Sequence, residues 1–133
     1  MSTNVKVRFD VAETGWGEKL DDNLVRIDNI PLTDALNIGD VVETDPNTVE
    51  RFLRIVRVVS RKYNRKTAVV VRDEDYEHLF YAWTAVGMKC EHMIVGHVLV
   101  AHREDQDPVG MISPDSGLVV TLYRSQPKLK ALP

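Results

Sequence analysis

The chain has 133 residues, 44% of them hydrophobic and 28% charged, which suits one globular domain with an ordinary core. No stretch approaches the roughly 18–20 apolar residues of a membrane helix, and Met1–Lys6 lacks the apolar heart of a secretory signal, so a cytoplasmic location is expected. One cysteine, Cys90, excludes an intramolecular disulfide and agrees with a reducing compartment.

The net charge of −3 conceals an uneven distribution. Residues 1–50 carry 4 basic and 11 acidic side chains, residues 51–72 carry 8 and none, and residues 73–133 carry 5 and 9. A carboxylate-free basic stretch between two acidic sections is the least ordinary feature of the chain.

Val5, Val7, Phe9 and Val11 alternate with Lys6, Arg8 and Asp10, the period of two of a strand with one face on a core. Glu13–Glu18, with Gly15 and Gly17 around Trp16, is expected to be a turn or irregular connection. Leu24–Asp28 is the second predicted strand, ended by Pro31, which cannot donate to a ladder. Thr33–Leu36 is expected to be one helical turn capped by Thr33. Asn37–Asp40 is turn chemistry leading into a strand over Val41–Glu43.

Residues 47–60 are open to two readings. Asn47–Glu50 resembles a helix start, but Ile55, Val56, Val58 and Val59 are β-branched and favour a strand over about 52–60. A further strand is expected over Thr67–Arg72. Asp73 should then cap a helix that ends at Gly87, with Leu79, Ala82, Trp83 and Val86 at helical spacing. Met93–Ala101 is predicted as one apolar strand and Leu118–Tyr123 as the last, with polar loop over 103–117 and a mobile tail over 127–133.

Val5–Phe9, Arg26–Pro31, Ile38–Val42 and Val58–Ser60 occur in the order seen in a bacterial family known as domain of unknown function 4265, which the chain resembles over about residues 5–102. Asp28-Asn29-Ile30-Pro31 followed by Gly39-Asp40 is the most specific part of the likeness. A strand after Ser60, a helix ending at Ala85–Glu91 and a following apolar strand extend it. The chain departs from the pattern at Ser60–Lys66, where the family has a Ser-Gly-His turn, and after residue 105, where a second helix is replaced by loop. The resemblance implies an architecture and no activity.

The expected fold is therefore α+β within a single domain: a small antiparallel β-barrel-like group over residues 1–66, then a β-α-β-β half over 67–126, sharing one core. The basic stretch would form a β-hairpin joined at Tyr63-Asn64 and tipped with Arg61, Lys62, Arg65 and Lys66. With Arg57 beside it and Tyr63 available for stacking, such a tip suits phosphates or an acidic surface. The blander reading is that these cations neutralise the flanking acids. Trp16 is a candidate contact residue at an interface, or a lid on an open barrel end.

Cys90, His92, His97 and His102 are metal-ligand types, but on one regular strand His97 faces away from the other three, so no metal site is assigned. Glu13, Glu18, Asp21 and Asp22 are explained as exposed loop acids. Trp83, with Phe80 and Tyr81, is expected between helix and sheet. No motif organises a nucleophile, a phosphate loop or a cofactor site. The functional expectation is a non-enzymatic interaction module of bacterial, phage or mobile-element type with a protein partner. Nucleic-acid binding by the same hairpin and a small enzyme of unfamiliar type are the alternatives.

Overall fold

The structure, a computed structural model, describes residues 3–48, 51–94, 97–112 and 120–125, the last of these as backbone. The expected tail over 127–133 and the end of the polar loop, residues 113–117, lie outside the described residues. Two compact units divide the chain, with the boundary between Lys62 and Tyr63.

The first unit is a closed five-stranded barrel of β1 (Thr3–Asp10), β2 (Glu13–Asp21), β3 (Leu24–Ile27), β4 (Val41–Thr44) and β5 (Leu53–Ser60). Neighbours in sequence pair antiparallel, and an odd number of alternating strands leaves β1 and β5 pointing the same way. The barrel therefore closes through a parallel pair, Val7 beside Leu53 and Arg8 beside Arg54. Inward residues of β1, β3, β4 and β5 meet Leu36 of the β3–β4 connection in one buried cluster of Val7, Phe9, Val25, Ile27, Leu36, Val42, Ile55 and Val58. The β-branched run of 55–59 is a strand, as its composition predicts. Val11, expected on the core face, sits in the turn beyond β1 and is exposed.

Glu13–Glu18 is strand rather than turn. Gly15 and Gly17 point inward and Trp16 outward, so the glycines keep the strand period. A Cβ on Gly15 would fall on the Phe9 ring and on Asn29 Oδ1, and one on Gly17 would meet Val25 and the Arg26 carbonyl. Glycine is depleted in strands for want of a side chain to pack, but here Phe9 fills the space that a side chain would take.

Thr33–Leu36 is an irregular turn, not a helical one. The Glu13 carboxylate accepts the N–H groups of Leu32 (2.7 Å) and Thr33 (3.2 Å), and Asn29 Oδ1 accepts that of Trp16 (2.7 Å). Gly39 takes φ 83°, the left-handed region that glycine tolerates, and turns the chain into β4.

In the second unit a sheet of order β7-β8-β6-β9 contains β6 (Arg65–Val70), β7 (Lys89–Ile94), β8 (His97–His102) and β9 (Val120–Ser125), all antiparallel. The segment expected as one strand over 93–101 belongs to two: Met93 and Ile94 end β7 and His97–Ala101 lie on β8, antiparallel to it with His92 opposite Val98. Gly96-His97, the interruption in an otherwise apolar run, is the only mark of the division in the sequence.

Helix α1 (Asp73–Ala85) follows β6. Its N-cap is Arg72 rather than Asp73, and the three acids of its first turn suit the positive end of the helix dipole. Gly87, at φ 87°, ends it, with its N–H on Thr84 O and that of Met88 on Trp83 O. Leu79 and Trp83 are buried with Val69, Val71, Met88, Val98 and Val100, and Tyr76 packs at the margin. Phe80, Tyr81 and Val86 instead lie on the exposed side, since a 3.6-residue period aligns positions 76, 79 and 83. Each unit thus has its own buried cluster, where one shared core was expected. No described helix is long and apolar enough to cross a membrane.

Candidate functional site

The expected basic hairpin does not form. Strand β5 pairs with β4 and β1, whereas β6 pairs with β8 and β9, so the two halves of the basic stretch belong to different sheets. Arg61 is a buried structural cation, its guanidinium forked onto Asp40. Arg57 pairs with Glu43 at 3.2 Å and lines a groove of about 440 Å³ together with Asp21 and Asp22, which offset its charge. Tyr63 is buried and its hydroxyl donates to Gly87 O at 3.1 Å, so its ring is not offered for stacking. Lys66 is fully buried, Arg65 half-buried and Lys62 exposed. Adjacency along the chain therefore brings no cationic tip together.

A different basic surface appears on the outside of the barrel. Because Val7 and Phe9 point inward, Lys6 and Arg8 point outward. Lys6 lies opposite Trp16 on β2, and Arg8 lies opposite Thr14 on one side and Arg54 of β5 on the other. Phe52 immediately precedes β5, whose Leu53 pairs with Val7, and its ring lies beside Arg8 near the barrel closure. Two adjacent cross-strand rows result, Trp16–Lys6 over β2 and β1 and Thr14–Arg8–Arg54 over β2, β1 and β5, with the Phe52 ring next to Arg8.

Cations and rings are interleaved here at contact distance. Lys6 Nζ is 4.3 Å from the centre of the Trp16 ring, and the guanidinium carbons of Arg8 and Arg51 are 5.7 and 5.9 Å from that of Phe52. Such contacts hold long side chains against a surface while leaving their charge toward water. Trp16 is 48% exposed, large for an aromatic on a strand, and it neither sits on a flexible loop nor plugs the barrel. Glu18, next along β2, is answered by Arg26 at 2.8 Å, and Glu13 by backbone N–H groups. Both acids are strand residues rather than loop acids.

At the end of the barrel near this face lies a cleft of about 330 Å³. Val5, Val25 and Leu53 form its apolar floor, and Lys6, Lys19, Arg51 and Asp22 its polar rim. Three cations against one carboxylate make it a local basin for negative charge in an acidic protein. Of this surface, sequence reasoning singled out only Trp16. Outward Lys6 and Arg8 were legible from the alternation of β1, but their meeting with Phe52 and Arg54 depends on the β1–β5 closure.

In the second unit the histidines and the thiol have other neighbours. His102 Nδ1 donates to Arg103 O at 2.8 Å, so in the neutral ring Nε2 accepts from the Thr67 hydroxyl, also at 2.8 Å. His92 stacks on Tyr76 with ring centres 4.5 Å apart. Burial pushes the Cys90 thiol up to about 11, the hydrogen bond with Tyr76 pulling the other way, so it is a poor nucleophile at neutral pH. Among the described residues no group of three or more His, Cys, Asp or Glu side chains is placed to hold a metal.

A solved structure described as a hypothetical protein from Neisseria gonorrhoeae is similar to this chain, with a TM-score of 0.52 and 19% identity. The match covers 79% of this chain and 78% of that one, and at this identity it speaks to the fold alone. No family model and no curated protein matches.

Proposed function

We propose that this chain is a non-enzymatic interaction module whose barrel binds an anionic macromolecule through the outer face of β2, β1 and β5. The supporting observation is the pair of cross-strand rows, which set Lys6, Arg8 and Arg54 on one outer face, with Lys6 against the Trp16 ring and Arg8 against that of Phe52. Aromatic and arginine side chains on a preformed sheet contribute large contact area at low entropic cost, and clustered cations steer an anionic partner inward. This face takes the role that the sequence pattern assigned to a basic hairpin. Kinship with family 4265, a cytoplasmic location and a phage or mobile-element origin belong to the same proposal.

Retention on a heparin column tests it. Changing Arg8, Arg54 and Trp16 together to Ala should move elution to clearly lower salt while unfolding stays cooperative, at a somewhat lower thermal midpoint because Arg8 also donates to Val11 O at 3.1 Å. The control, Arg57→Ala with Lys62→Ala, should elute close to wild type. Equal elution of the triple variant and wild type would sink the proposal.

A further inference from the structure

The end cleft and the two rows form one continuous surface. Lys6 contributes to both, and Arg51 stands at the cleft rim while also lying over the Phe52 ring. We infer, building on the face proposed above, that its occupant is a single-stranded nucleic acid, with a phosphate among Lys6, Lys19 and Arg51 and bases on Trp16 and Phe52.

Charge alone does not separate nucleic acid from an acidic protein, since carboxylates and phosphates both suit lysine and arginine. The aromatic positions favour nucleic acid. Each ring lies beside a cation, Lys6 at Trp16 and both Arg8 and Arg51 at Phe52. A base stacks on either ring while its phosphate meets a neighbouring cation, which is how sequence-tolerant single-strand surfaces work. The carboxylates of an acidic peptide, unlike bases, make no use of the ring faces.

The cleft fits the same ligand. Among the described residues its rim of Lys6, Lys19 and Arg51 against Asp22 carries a net charge of +2, suited to one or two phosphodiester charges, and its volume of about 330 Å³ is at the small end of ligand pockets. A duplex is disfavoured by shape. The described part of the barrel unit contains no helix to enter a groove, and the candidate face is the outer side of its sheet.

Fluorescence anisotropy with labelled oligothymidylate tests the inference, with polyglutamate and a DNA duplex as comparison ligands. Wild type should prefer the oligothymidylate, and its affinity should fall with salt at a log–log slope of about −0.7 to −1.4, as one or two neutralised phosphates imply. Trp16→Ala and Phe52→Ala should each weaken binding about tenfold without changing that slope, whereas Lys19→Ala and Arg51→Ala should each flatten it. Binding of oligothymidylate would also quench the Trp16 emission. Heparin retention that depends on Arg8 and Arg54 with no oligothymidylate binding, or with equal or tighter polyglutamate binding, overturns this inference and leaves the broader reading standing. Tighter binding to duplex also overturns it. Loss of both heparin retention and oligothymidylate binding overturns both.

Discussion

Arg61 and Asp40 form a forked ion pair inside the barrel unit, Nε to Oδ1 at 3.0 Å and Nη2 to Oδ2 at 2.9 Å, with side chains 5% and 0% exposed. The same groups tie down the β3–β4 connection. Arg61 Nη2 also donates to Ala35 O, and Asp40 Oδ2 accepts the N–H of Asn37. Removing one partner leaves the other charged and buried, so Arg61→Ala and Asp40→Ala should each cost about 3–5 kcal/mol in urea unfolding. The double variant should cost less than the sum of the two, because it strands neither charge. Arg61→Lys should recover only part, since an ammonium cannot reproduce the fork. Single variants with wild-type stability would refute the structural role assigned to this pair.

Gly15 is required by the Phe9 ring rather than by a turn. Gly15→Ala should destabilise the chain by about 1–3 kcal/mol, the usual result of overfilling a packed core. Adding Phe9→Leu should return part of that loss by freeing space beside the new methyl. The contact with Asn29 Oδ1 would keep the recovery incomplete. If Gly15→Ala unfolds at the wild-type urea midpoint, the inward placement of residue 15 is wrong.

Cys90 should react slowly with thiol reagents. Raised from about 9 to about 11 by burial, it holds about a hundredfold less thiolate near neutral pH than an ordinary cysteine. Disulfide-exchange labelling at about pH 8 should be correspondingly slower in the folded chain than in urea. Tyr76→Phe removes a hydrogen bond that favours the thiolate, and should slow labelling further unless it opens the site to water. The raised value also links to stability. The folded chain holds this proton more tightly than the unfolded one, so the contribution is fully present below about 9 and is lost as pH rises through about 11. Cys90→Ala should flatten the decline in urea midpoint over that window; an unchanged decline would assign it to other groups.

The two tryptophans should behave as opposites. Trp83 is fully buried and its indole N–H donates to Pro108 O at 3.0 Å, joining the helix to the 103–112 loop. Gln106 supports the same loop by donating to Val86 O at 2.8 Å. Trp83→Phe leaves that carbonyl only the longer bond from the Met111 N–H (3.4 Å) and removes buried contact area, and should cost about 1–3 kcal/mol, with faster amide exchange in the loop. Acrylamide should quench Trp16 in this variant readily, and should barely quench Trp83 in Trp16→Phe. Equal quenching in the two variants would contradict the burial of Trp83.

Local chemistry in the sequence determined where several elements lie. Alternating Val7 and Phe9 placed β1, the β-branched run over 55–59 placed β5, and Gly87 placed the end of the helix, because each depends on residues a few positions apart. Pairing was beyond such reading. Residues 51–72 look like one basic hairpin because its members are adjacent in the chain, yet β5 finds its neighbours in β4 and β1, and β6 in β8 and β9. The glycines around Trp16 look like a turn until Phe9 occupies the space beside Gly15. Charge counting likewise could not tell Arg61, consumed by Asp40, from Arg54, which stands on the outer face. Only the closure of β1 on β5 brings Lys6, Arg8, Phe52 and Arg54 onto one surface. Strand propensity is local, whereas register and burial are set by partners distant in the chain, and those contacts decide which charges face water.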